Sequence, residues 1–224
     1  MEAKVTKHYF EYGTQKYFRG KAENVEICSY GEKKDPIGAE AYLAVQAKVK
    51  REHLKGRVTY ITTVKIDWNQ QSEAAVEVNG SLKYFDLDGK VAVSGSYEHA
   101  KSAKLELVKF GISEGPLTTM LNRDADGARQ YLADEGADGR IVSEIWVLMK
   151  GELAEHFATS GTIEASVGTT GADLELTATG GTHGSQTVAI SAGTTFAYLL
   201  HKVKEWNKGK TQIENMEDDR KGMN

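Results

Sequence analysis

The 224-residue sequence has one cysteine, Cys28, so no intramolecular disulfide can staple it. It has two prolines, and its 40% hydrophobic and 27% charged content is too apolar for a disordered chain and too polar for a helical membrane protein. Long apolar runs are missing: no aliphatic or aromatic stretch exceeds the five residues of Ile145 to Met149, where a spanning helix needs about 20 residues. The opening residues, MEAKVTKHYFEYG, lack the apolar h-region of a secretory signal. These absences predict a soluble, cytoplasmic chain with one domain over residues 1–206 and a polar tail over 207–224. GxxxxGK[ST], GxGxxG and HExxH are absent, and the six histidines are scattered singly. Motif-borne nucleotide and zinc-protease chemistry is thereby excluded. A triad assembled from distant positions has no sequence signature, and nothing points to one.

Positive charge is unevenly placed. Residues 1–57 hold 12 Lys and Arg against 8 Asp and Glu, whereas residues 58–224 hold 16 against 24. The basic end is the part suited to an anionic surface. From Gly151 to Leu200 there is no Lys or Arg, while Glu152, Glu155, Glu164, Asp173 and Glu175 are present, so this stretch repels nucleic acid. At the start, Lys4, Lys7, Lys16, Arg19 and Lys21 interleave with Tyr9, Phe10, Tyr12, Tyr17 and Phe18. This reads as a β-hairpin turning near Gly13 or Gly20, either set at a lipid–water boundary or packed inward at a sheet edge. Residues 38–54 are rich in helix formers and place Ala39, Tyr42, Leu43, Gln46, Val49 and His53 at helical steps, predicting an amphipathic helix. Lys48, Lys50, Arg51, Lys55 and Arg57 at its end suit either the helix dipole or an acidic lipid.

Strand patterns follow. Residues 58–67 are β-branched nearly throughout, predicting a strand buried on both faces or nearly so. Val76 and Val78, Val91 and Val93 after the Asp88-Gly89 turn, and Ala103, Leu105 and Leu107 alternate with mostly polar neighbours. Between Pro116 and Gly136, Leu117, Met120, Leu121, Ala128, Tyr131 and Leu132 mark a helix pair or one broken helix. Residues 140–157 form the longest strand candidate, with Ile141, Ile145, Val147, Met149, Leu153 and Phe157 on one face. Residues 158–187 contain 21 Gly, Ala, Ser or Thr in 30, too few large side chains to anchor a good core. Their alternation, Ile163, Ala165 and Val167 then Leu174, Leu176 and Ala178, suits a strand facing lipid on one side and water on the other, or a plain flexible hairpin. Asn122, Asp124, Asp126 and Gly127 begin a calcium-loop pattern, but Ala133 stands where the bidentate Glu is needed, so a helix–helix turn is expected. Asn79-Gly80-Ser81 is a sequon by pattern only, and Cys28 reads as a small buried thiol.

KLELVKFGIS, PLTTMLNRDADGARQYLADEG, GRIVSEIWVLMKGELAE, the small-residue stretch and SQTVAISAGTTFAYLLHKV follow one another between about Val76 and Trp206. In order and spacing this resembles the pore-forming domain of the gasdermin family, and most of all the short fungal gasdermin-like regulators of cell death that act in allorecognition. The resemblance implies an α+β fold, a twisted mixed or antiparallel sheet with flanking helices. Residues 76–110 and 141–191 would be short strands and loops in the soluble form and lengthen into membrane hairpins. The basic N-terminal residues named above would meet acidic phospholipid, together with Tyr17 and Phe18. Val76, Val78, Val91, Val93, Leu105, Leu107, Ile145, Val147, Met149, Ile163, Val167, Leu174 and Leu176 would face lipid, and Glu152, Glu155, Glu164, Asp173 and Glu175 the pore lumen. Partners would be further copies of the chain or an allelic variant, with no enzymatic step and no cofactor. The alternative is a soluble β-rich module that binds a protein or self-assembles without entering a membrane.

Overall fold

A computed structural model of the chain describes residues 3–34, 42–71, 82–94, 97–168, 171, 173–180 and 184–219; Val76, Val78 and the Asn79 sequon lie outside the described residues. Along the chain run β1 (Ala3–Val5), β2 (Tyr9–Tyr12), β3 (Gln15–Phe18), β4 (Ser29–Lys33), β5 (Leu43–Lys48) and β6 (Thr59–Lys65). Then come β7 (Leu82–Phe85), β8 (Val91–Ser94), helix α1 (Tyr97–Ser102), β9 (Leu105–Gly111), helices α2 (Glu114–Arg123) and α3 (Asp126–Glu135), and β10 (Gly139–Lys150). Helix α4 (Gly151–Thr159), β11 (Thr162–Val167), β12 (Leu174–Thr179) and β13 (Ser185–Ile190) lead to β14 (Thr195–Trp206) and β15 (Ile213–Asp218). The architecture is α+β. Among the described residues, twelve strands join in one mixed, mainly antiparallel sheet, and β11, β12 and β13 form a separate meander.

The long strand β10 is the axis, because its Ile, Val, Leu, Met and Trp side chains are buried on both faces. Ile145, Val147 and Met149 enter one core with α2, α3, α4 and the meander. Trp146 and Leu148 enter a second core with Phe10, Tyr17, Trp68, Tyr84 and Ala100. A bulge between Val142 and Glu144 shifts the register and turns Ser143 toward β14. One edge of β10 pairs with β14. The other pairs first with β4 and then with β9, which runs beside it from Ser143 to Lys150. On the far side of β9 lies β6.

Several elements depart from the sequence expectation. The predicted helix over 38–54 is, where described, the strand β5 followed by a 3-10 turn at Arg51–Leu54. Pairing with β4, Tyr30 to Ala47 and Lys33 to Leu43, overrides the helix propensity of Leu, Ala, Gln and Lys. The 58–67 strand is an edge strand bonded to β9 alone among the described residues, so Val64 is buried while Ile61 stays 40% exposed. The 140–157 strand stops at Lys150, and Leu153 and Phe157, four apart, are the buried face of α4. The polar tail contains β15, which pairs with β14 and buries Ile213 and Met216. Asp219, fully buried, accepts from Arg140 Nε at 2.7 Å and anchors that end. The hairpin at Gly13 and the helix pair form as the sequence predicts. Gly136, at φ +58, ends α3 with its N–H donating to Leu132.

Candidate functional site

The strands β6, β9, β10 and β14 lie side by side as a four-stranded antiparallel band. Their registers place Lys65 opposite Glu106, Leu105 opposite Lys150 and Thr195 opposite Val147. All four therefore reach the same end of the band. The chain leaves that end twice, once between β6 and β9 through residues 66–104, and once between β10 and β14 through residues 151–194. Each excursion is an insertion between two strands that are already antiparallel neighbours. Exposed Lys65, Lys101 and Lys104 ring a cavity with Asp67, Trp68 and Glu106 at the root of the first.

The second insertion is a two-faced ribbon. Ala165, Leu176 and Val188 align across the meander, as do Val167, Leu174 and Ile190, and this face packs on the main core. Glu164, Ser166, Glu175, Thr177 and Thr187 form the opposite face, where the Thr177 and Thr187 hydroxyls meet at 2.8 Å. Leu174, Leu176 and Ala178 are fully buried, so the small-residue stretch anchors a core that its composition did not promise. Alternation, not side-chain bulk, decides the outcome, since every second residue of β12 is turned into the core.

The residues expected to face lipid divide in two. Val91 and Val93 stand 42% and 60% exposed on β8, and Ile163, Val167, Leu174 and Leu176 lie in the second insertion. Leu105, Leu107, Ile145, Val147 and Met149 belong to the band and are buried in its two cores. Of the expected lumen residues, Glu164, Asp173 and Glu175 are on the meander or beside it, whereas Glu152 and Glu155 are exposed on α4, a helix and not an alternating strand.

The N-terminal cations are equally divided. Lys4, Lys7, Lys50 and Lys55 are exposed, and Lys16 lies 5.0 Å from the Tyr9 ring. Tyr17 and Phe18 are buried, Phe18 stacking on Tyr42 at 3.9 Å, so the aromatics pack inward. Arg19 is buried as well, donating to the Thr6 carbonyl at 2.6 Å and lying 4.1 Å from the Phe196 ring. Arg51 pairs with buried Glu26, which Lys48 reaches at 2.9 Å, while Arg57 bonds Asp124 at 2.6 Å and Lys21 takes a left-handed φ of +51 at a 3-10 turn. Arg51 also feels the carboxylate of Asp173, and Gly56 N–H donates to Ala165 at 3.1 Å, so this segment is a seam to the meander. Cys28 is fully buried, which pushes its thiol up to about 12.

Folding also assembles a serine, a histidine and an aspartate from three strands. His201 Nδ1 lies 2.6 Å from Ser143 Oγ, and its Nε2 lies 3.3 Å from Asp218. Only the bulge at Ser143 brings them together, so no local signal could have announced the trio. Ser143 is fully buried and His201 nearly so, while Asp218 borders a cavity of about 320 Å³ with Tyr12, Tyr17, Lys109 and Glu144. The trio cross-links β10, β14 and β15.

Among the described residues no group of three or more metal-ligating side chains converges, and no helix is long and apolar enough to cross a membrane. Asp124 and Asp126, from the calcium-like pattern, pair with Arg57 and Arg129 at the turn between α2 and α3. Compared with models of known protein families, with curated proteins and with solved structures, the chain matches none.

Proposed function

We propose that this chain is a gasdermin-like pore-forming protein, cytoplasmic when soluble, that binds acidic phospholipid, oligomerises and inserts a β-barrel into the plasma membrane or another acidic membrane. The supporting observation is the common end of the band, where two antiparallel strand pairs are each interrupted by an insertion. A bilayer core about 30 Å thick needs tilted strands of about 9–11 residues. The insertions, 39 residues from 66 to 104 and 44 from 151 to 194, each hold enough chain for two such arms. Open edges cannot stand in hydrocarbon, so the four strands of one copy must join those of others in a closed ring.

In the ring, Val91, Val93, Ile163, Val167, Leu174 and Leu176 face lipid, and Glu164, Asp173 and Glu175 face water. Buried band residues such as Leu105 and Ile145 remain its base. Acidic lipid is met by exposed cations, Lys4, Lys7, Lys50 and Lys55 together with Lys65, Lys101 and Lys104 at the insertion end. The sequence resemblance favours a cell-death role in fungal allorecognition, with like or allelic copies as partners.

Leakage of a fluorophore from vesicles tests the reading. Anionic vesicles empty on addition of the protein, and neutral ones stay sealed. Vesicles that stay sealed across lipid compositions and added copies would instead favour a soluble binding or self-assembly module. For that reading the favouring feature is β8, which pairs with β7 alone among the described residues and shows Val91 and Val93 to solvent.

A further inference from the structure

The two insertions touch, and the contact sits on a strand edge. Met149 of β10 pairs with Glu106 of β9 on one edge and with Phe85 of β7 on the other. That second edge belongs to β14 as far as Val147. Strand β7, from the first insertion, thus occupies the place into which β14 would have to lengthen. A strand edge offers its N–H and C=O groups to one partner at a time.

Neighbouring contacts reinforce the block. Phe85 is buried in the main core, and Asp86 reaches the Lys150 ammonium at 2.8 Å, at the hinge where β10 gives way to α4. The turn that follows closes with Gly89 N–H donating to Asp86 at 2.9 Å, and Gly89 has φ +73. A Cβ at Gly89 would overlap the Thr187 carbonyl oxygen on β13, so the turn lies flat against the second insertion. Leu87 lines one cavity of about 190 Å³ with Leu153, His156 and Gln186 of the second insertion. Lys83 packs onto Gly193, where that insertion returns to β14.

Resting on the reading of both insertions as membrane hairpins, we propose that the β7–β8 hairpin is a latch: the second insertion cannot add to β14 until the first has left. The Asp86–Lys150 pair is about one-third exposed and screened, so edge occupancy and the close approach of Gly89 provide most of the hold. The device makes release of the two insertions one cooperative event, because the first to open uncovers the edge needed by the second.

Hydrogen exchange of the full chain in solution tests this. Gly89→Ala sets a Cβ against Thr187 and strains the turn, and Asp86→Asn loosens the hinge more gently. Gly89→Ala is expected to speed exchange about tenfold in β7 and β8 and also in α4 and β13, with residues 139–146 unchanged. Acceleration confined to β7 and β8 would overturn the latch. If Gly89→Ala does not fold, Asp86→Asn decides by the same pattern at smaller amplitude. The measurement needs no membrane, so a chain that never permeabilises vesicles can pass it, and one that does can fail it.

Discussion

Strand β10 and the β11–β13 meander both bury their apolar side chains, but in different ways. On β10 both faces are covered, by one core holding Ile145, Val147 and Met149 and another holding Trp146 and Leu148. On the meander one face is covered and the other carries Glu164, Glu175, Thr177 and Thr187. A strand covered twice has no other environment that would satisfy it. A ribbon covered once can exchange the protein core for hydrocarbon without exposing a polar face to lipid. On the proposed function, the contrast separates the base of the ring from the parts that insert.

The comparison breaks most visibly at Trp146, which meets Phe10, Tyr12 and Tyr17 edge to face. Trp146→Ala should lower the free energy of global unfolding in denaturant by about 3–5 kcal/mol. A loss under about 1 kcal/mol would mean the base is no firmer than the insertions. Arg51→Ala tests the seam between the regions, since it leaves Glu26, 6% exposed, with Lys48 alone. A loss of about 3 kcal/mol is expected, and recovery in the Arg51→Met, Glu26→Leu double variant would assign it to the stranded carboxylate. Val93→Asp sharpens the contrast from the other side. At 60% exposure it should leave denaturant stability within about 0.5 kcal/mol, yet slow vesicle leakage about tenfold, because charge on a lipid-facing strand costs about 2–4 kcal/mol near the midplane for Lys or Arg and less for Asp. Equal leakage would remove β8 from the membrane.

The smallest effect concerns His201, whose burial holds its pKa below the ordinary value against the pull of Asp218, Glu114 and Glu144. A folded pKa below the unfolded one means the neutral ring is favoured in the fold. Its stabilisation is present above about pH 6.5 and is lost as pH falls below that toward the folded value. The thermal midpoint should therefore decline on acidification below about pH 6.5, and His201→Gln should flatten that decline. An unchanged slope would assign it to other groups.

What the sequence revealed follows the same division. The hairpin around Gly13, the helices between Pro116 and Gly136, and the apolar run of β10 carry local signals strong enough to read. Residues 43–48 do not, because Leu43, Ala44, Gln46 and Lys48 favour a helix until β4 supplies a ladder. Leu153 and Phe157 fit both a strand and a helix face, so the end of β10 at Lys150 was invisible. Ile213 and Met216, three apart and among charges, hid β15 because no period-two pattern marks it. For the site, the alternating faces of the meander were legible. The shared end of the two insertions was not, since register between distant strands is a property of the folded sheet alone.

The central claim is that the meander's covered face becomes a lipid-facing one. Single cysteines placed in turn at residues 162 to 167, labelled with a polarity-sensitive dye and mixed with anionic vesicles, test it directly, because buried Cys28 does not compete for label. The account predicts blue-shifted emission at 163, 165 and 167 and water-like emission at 162, 164 and 166. Emission that stays the same with and without vesicles, or that shows no period of two, would contradict it.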